Sequence, residues 1–428
     1  MAPRSTSPVI LPDRSVPRIA RYTWSRQWKA EVFAGLVEGT GGLAAFAAMR
    51  SLHAGAWIAP LFVTIGQLFW LVAPAWEAAF ARFHIRRAFL WMGLVANVPL
   101  LCVVLVDPGA SAAGAGVSWG LALFAVAIVV QAAVDAAYIP HRAALLRANY
   151  SDAVRGRMFG LLSTISKASS IVASKTGGWL LDRDPQWMRF VFPFAGLCGI
   201  LEHWQLSRIR WHRDGRPAVR RWTGPSSAWA AAADAWREAW RILAQDAGFR
   251  RYELGFMLYG LGFLMASPMV VVYAEDDLRL TYGAWTWAQG ATFPAVYIAT
   301  ILVFGRLVDR IGVVRISAWA FALLSLFFVA MLFVTTGAQL IAAYVLFGFV
   351  MAAVNLGWNL GPLAFAPQGK ARAYSTLHML CVGVRSAIAP FAGLWIAAAF
   401  SRQAVFAVAA AFVATGFVAL RGLVATRR

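Results

Sequence analysis

Gly305-Arg306-Leu307-Val308-Asp309-Arg310-Ile311-Gly312-Val313-Val314-Arg315 is a basic turn set between two long apolar runs, 284–304 and 316–336. Gly312 permits a tight turn. Arg306, Arg310 and Arg315 favour the cytoplasmic face of a membrane. Asp309, a carboxylate at the end of an apolar run, needs a partner there. Such a turn belongs between two membrane-crossing helices, and the rest of the chain agrees. Of 428 residues, 60% are hydrophobic and 14% charged, against about 45–50% and about 25% in soluble domains. That is apolar material for about twelve spans of ~20 residues.

Twelve apolar runs can be read, six between positions 30 and 206 and six between 254 and 424. The predicted fold is an all-α integral membrane protein of twelve transmembrane helices, arranged as two six-helix bundles with pseudo-two-fold symmetry and both termini cytoplasmic. Residues 1–29 read as a cytoplasmic tail with no apolar signal segment, 30–206 as the first bundle, 207–252 as a cytoplasmic linker and 253–428 as the second bundle. With this topology 31 of the 39 lysines and arginines face the cytoplasm and 5 face outward, as the charge bias of membrane loops requires. The formal charge of +20 is thereby explained by contact with anionic lipid. Nucleic acid is not an expected partner, since no stacking platform accompanies the charge. Cys102, Cys198 and Cys381 stand far apart in apolar runs, so no disulfide framework or zinc spacing exists. Within the linker, Trp229, Ala233, Trp236, Trp240 and Leu243 fall on one helical face and Asp234, Arg237, Glu238 and Arg241 elsewhere, predicting a helix lying in the membrane interface.

The turn at 305–315 resembles the signature loop of the major facilitator superfamily, with Gly305, Asp309, Arg310, Gly312 and Arg315 matching and Val313 departing. The resemblance implies that Asp309 meets the start of the fifth helix, near Arg157–Gly160, and closes an inner gate with Arg155 and Arg157 beside it. The matching loop of the first half, 77–87, keeps Arg82 and Arg87 but has Ala81 in place of the aspartate. A shift of 215 positions sets Arg157, Phe159 and Gly178 on Arg372, Tyr374 and Gly393, as a duplicated six-helix unit demands. The family also places helices three, six, nine and twelve on the outside.

Ionisable groups inside a span usually face a cavity or a partner. Here they are Glu38 in span one, Asp135 in span four, Lys167 and Lys175 in span five and Arg385 in span eleven; span six has Glu202 at its cytoplasmic end. At 1.5 Å per residue, Glu38, Lys167 and Arg385 lie roughly 12–17 Å into their spans and are expected near the midplane. Gln131 lies one turn deeper than Asp135, and Asn355 and Asn359 share a face of span ten. His378, close to the cytoplasmic end, reads as a snorkelling side chain. Two readings of this set stand side by side. In one, Lys167 and Arg385 hold an anionic or zwitterionic solute while Glu38 or Asp135 exchanges a proton. In the other, Glu38 pairs with Lys167 or Arg385 and locks the bundle.

The resulting expectation is a monomeric secondary transporter in a bacterial-type inner membrane, moving a small solute by alternating access and coupled to protons. No cofactor or metal is expected, and no P-loop or hydrolase motif points to an enzyme. The alternative is a non-transporting member of the same fold, acting in membrane assembly or sensing.

Overall fold

The structure is a computed structural model that describes residues 18–80, 85–111, 118–150, 152–210, 225–367 and 370–426. The first half contains α1 (Arg18–Gly41), α2 (Ala44–Ser51), α3 (Ile58–Leu68), α4 (Ala73–Phe80), α5 (Ile85–Leu101), the short α6 (Pro108–Ser111), α7 (Trp119–Asn149), α8 (Asp152–Arg183) and α9 (Met188–Ser207). After the linker helix α10 (Pro225–Gln245), the second half contains α11 (Ala247–Val272), the short α12 (Tyr282–Trp285), α13 (Phe293–Ile311), α14 (Val313–Met331), α15 (Gly337–Phe365), α16 (Ala371–Ala399) and α17 (Arg402–Thr426). No strand occurs among the described residues. Among the described residues, ten stretches of helix are long and apolar enough to cross a membrane. Helices α8 and α9 are comparable in length, at 32 and 20 residues, but carry more charged and polar side chains.

The first helix begins at Arg18, well before the predicted boundary at residue 29. Its extra turns are amphipathic: Ala20, Thr23, Trp24 and Gln27 are buried against the bundle. Helix α1 runs along α8 and α9, while α5 packs on α7 and α9. In the second half α11 lies against α16 and α17, and α14 against α15 and α17. The α1–α8 approach is close because small residues face it. A Cβ on Gly35 or Gly39 would strike the backbone carbonyl of Ser166 or Ser170, which is the logic of small-residue stripes in membrane helices. The main contacts between halves come from α2, α3 and α8 on one side and α11, α12, α13 and α16 on the other. Helices α5, α9, α14 and α17 stay out of that interface, the outer places expected for helices three, six, nine and twelve.

The linker helix turns its tryptophan stripe outward. Its seat on the bundle is Ala232, Ala239 and Ile242, all buried, whereas Trp229 and Trp240 are 63% and 75% exposed. The tryptophans therefore point away from the protein. The helix packs across both halves, on α4 of the first and α16 of the second.

A geometric irregularity positions the site described next. Between α12 and α13 the chain widens into a π-helical segment, Thr286–Thr292. Pro294 follows in the first turn of α13; it has no N–H to continue the regular ladder. Such widened turns recur where a helix must present side chains to a ligand.

Candidate solute and coupling site

Glu38 on α1 and Lys167 on α8 form an ion pair. The ammonium also lies about 6 Å from two aromatic rings of α13, Phe293 at 6.0 Å and Tyr297 at 5.8 Å. A carboxylate and an ammonium from the first half thus face aromatic rings of the second. Glu38 is half-exposed and the Lys167 side chain 21% exposed, so the pair is reachable rather than sealed. Around it is a small cavity of about 30 Å³ bounded by Gly39, Ser170, Ser174, Gln289, Gly290 and Phe293. The volume suits about one water molecule. Ser170 donates its hydroxyl to the Lys167 carbonyl at 2.9 Å. The Ser174 hydroxyl is buried against Gly290 and has no hydrogen-bond partner among the described residues. The π-helical segment brings Gln289 and Gly290 into this space.

On one side of the cavity, towards the turns that follow α2 and precede α12, a polar seam joins the two halves. Arg50 pairs with Glu275 at 3.3 Å and donates to the Leu280 carbonyl at 3.0 Å. Ser51 and Tyr282 share a hydrogen bond of 2.5 Å. Phe46 stacks on Trp285 with centroids 5.4 Å apart. The Asp182 carboxylate accepts from the backbone N–H groups of Tyr282 and Gly283 at 2.6 and 2.5 Å. A carboxylate at that helix start satisfies orphan donors and opposes the positive end of the helix dipole. Lys175 lies over Trp287 at 4.0 Å and reaches Thr286 at 3.4 Å; it belongs to this seam. On the other side the described contacts between halves are apolar and aromatic, including Trp70 against Trp358 at 5.4 Å.

Arg385 does not join Glu38 and Lys167, contrary to the convergence expected of the three. It is 3% exposed and donates to the Phe256 carbonyl of α11. The guanidinium lies over Tyr259 at 5.6 Å, in space left by the missing side chain of Gly260. Nearby, His378 is 2% exposed and its Nδ1 meets Glu253 Oε1 at 2.8 Å. His378 is therefore a buried partner and does not snorkel. Glu253, at the start of the seventh span, was not among the expected groups. A charge near a span end is ordinary in sequence, and only packing reveals that this one is enclosed.

A similar enclosed group occurs in the first half. Glu31 pairs with Arg142, and Tyr138 donates to Glu202 at 2.6 Å; both carboxylates are buried. Asp135 stands on the same helix as Tyr138 and Arg142. Gln131 reaches Asn97 of α5 at 3.4 Å, so it ties two helices of one half together. Asn359 donates to the Asn355 carbonyl and to its side chain at 2.8 and 3.1 Å, an internal pairing along α15.

The signature loop ends α13 and begins α14. Gly312 has φ +84°, a conformation open to glycine, and the α13 helix stops at it. Asp309, Arg306 and Arg310 are exposed and Gly305 and Arg315 half-buried. Asp309 has no ion pair among the described residues, and the side chains of Arg155 and Arg157 lie outside them, as does the loop 81–84. Helices α8 and α13 do pack together.

Residues 252–428 match the sequence family described as the Major Facilitator Superfamily. No curated protein matches the chain by sequence. Among solved structures, a POT family transporter in complex with 5-aminolevulinic acid is similar with a TM-score of 0.72 at 12% identity, over 94% of this chain and 96% of that one. A POT family transporter in complex with a thioalcohol-conjugated peptide gives 0.71 at 12% identity, over 95% and 97%. The nucleoside transporter NupG gives 0.65 at 11% identity, over 94% and 99%. At these identities the likeness is one of fold.

Proposed function

We propose that this chain, whose residues 252–428 match the Major Facilitator Superfamily, is a proton-coupled secondary transporter of a small anionic or zwitterionic solute. Its twelve spans, in two six-helix bundles, rock about the cavity between α1, α8 and α13, with both termini cytoplasmic. The membrane is a bacterial-type inner membrane and the working unit a monomer. Solute entry divides the Glu38–Lys167 pair: Lys167 takes the acidic group of the solute, and Glu38 takes a proton or the solute's cationic group. Ser174 and Gln289 supply hydrogen bonds to the same molecule, and Phe293 and Tyr297 shield it. The polar seam at Arg50, Asp182 and Tyr282 opens and closes one access route. Asp309 of the signature loop serves the other, and Asp135 is the second candidate for proton exchange.

One observation carries this reading. An accessible acid–base pair from the first half faces a widened helix of the second, beside a buried serine hydroxyl with no partner among the described residues. Strong pairs of opposite charge are kept in spans where they gain from exchange with a ligand or proton. The test is flux into proteoliposomes for a panel of small carboxylates, phosphates, amino acids and short peptides, with and without a pH gradient. The reading expects gradient-dependent uptake that Glu38→Gln uncouples. Folded protein showing no flux for any of them, in either condition, contradicts it and favours the non-transporting alternative.

A further inference from the structure

A second cavity, larger than the one beside Glu38 and Lys167, lies away from that site. It has a volume of about 410 Å³ and is bounded by Tyr22, Arg26, Arg86, Trp204, Arg208 and Arg210, with Leu90 at its edge. Arginines from three separate places converge there: the start of α1, the start of α5 and the turn after α9. No carboxylate is among its bounding residues in the described part of the chain.

Charge bias alone would scatter arginines over loops; here the chain fixes them. Tyr22 donates its hydroxyl to the Arg208 carbonyl at 3.2 Å, and Asn149 donates to the Arg210 carbonyl at 2.8 Å. Between them Ile209 is fully buried, which anchors the turn like a peg. The guanidinium of Arg208 lies over Trp204 at 4.6 Å, and those of Arg210 and Arg26 over Tyr22 at 5.7 and 5.9 Å. Arg26 also donates to Gln205 at 3.3 Å. Stacking of this kind holds planar forks in place while leaving their N–H edges available.

Such edges match phosphate oxygens, bidentately and with charge assistance. The volume falls in the range of about 300–1,000 Å³ usual for small-ligand sites. Leu90 and Trp204 at the rim are each 39% exposed, on helices whose other exposed side chains, beyond Arg86 and Arg87 at the start of α5, are apolar. A tryptophan there fits headgroup level. We propose that this cavity binds the phosphate of an anionic phospholipid, with the acyl chains running past Leu90 and Trp204. Basic pockets between spans are known to take such headgroups. The site is independent of transport, and its test does not need the solute.

Full-length chain in neutral detergent is titrated with phosphatidylglycerol, phosphatidylcholine, inorganic phosphate and glycerol 3-phosphate, with binding read by native mass spectrometry. Phosphatidylglycerol is expected to stay bound and phosphatidylcholine to be lost. The triple variant Arg26→Gln, Arg208→Gln, Arg210→Gln is expected to weaken phosphatidylglycerol about 100-fold, at ~fivefold per arginine. A control triple of exposed cations elsewhere, Arg241→Gln in α10, Lys370→Gln before α16 and Arg421→Gln in α17, is expected to change it by less than about threefold. If the site triple fails to fold, Arg208→Gln and Arg210→Gln singly give the ~fivefold losses. Unchanged phosphatidylglycerol affinity in folded site variants overturns the proposal. So does displacement of the lipid by inorganic phosphate or glycerol 3-phosphate at equal affinity, which would make the cavity a site for soluble phosphate esters.

Discussion

Each half of the molecule carries one deep cation on an inward helix, and the two are treated differently. Lys167 meets a half-exposed carboxylate from α1 and borders a cavity. Arg385 is sealed, its charge spent on a backbone carbonyl and an aromatic face, with Gly260 hollowed out to admit it. A pair that solvent can reach is able to exchange partners, because each ion can be resolvated as it parts. A buried guanidinium cannot leave without stranding charge. The repeated architecture thus gives the first half an accessible, exchangeable pair and the second half a fixed strut.

The most damaging way to break this comparison is to fill the hollow. Gly260→Leu should cost about 3 kcal/mol or more, since the new side chain overpacks the site and displaces a buried charge. Loss of a monodisperse peak on size exclusion would register it. Removing the exchangeable cation should act on flux instead. Lys167→Gln is expected to lower solute uptake about 100-fold, the worth of one charge-assisted hydrogen bond of ~2–3 kcal/mol, with the melting temperature nearly unchanged. A Lys167→Gln protein that transports at full rate would erase the distinction between the halves.

The polar seam sharpens it at smaller scale. Asp182→Asn weakens two charge-assisted bonds at the start of α12 and should shift the seam towards its open state by ~1 kcal/mol. A cysteine placed at Ala284, with the three native cysteines replaced by alanine, should then react about fivefold faster with an impermeant maleimide. Smallest of all is Asn359→Ala. Its side chain bonds within its own helix, so both stability and uptake should move by less than about 0.5 kcal/mol equivalent.

What could be read in advance follows from where a residue's cost shows. A lysine or glutamate in mid-span stands out in any apolar run, so Glu38 and Lys167 were legible, as was the helical architecture around them. Glu31 and Glu253 were not, because a carboxylate near a span end looks solvated until neighbouring helices enclose it. Arg385 was found but assigned to the wrong company; depth along a helix says nothing about azimuth, and Gly260 turns it away from the cavity. Gln289 left little trace, since a π-helical turn shifts the face that regular spacing would assign. In α10 the tryptophan stripe was legible as a face, but the quieter row Ala232, Ala239 and Ile242 on which the helix docks was not.

That last feature bears on how far the halves can travel. A helix resting on α4 and α16 together is a splint across the joint between the halves, which the proposed rocking would have to flex. Any excursion that separates those two helices must peel it from one of them, giving up about the burial of two alanines and an isoleucine. The linker therefore sets a soft stop on the swing, and its exposed tryptophans give the bilayer itself a grip on that stop.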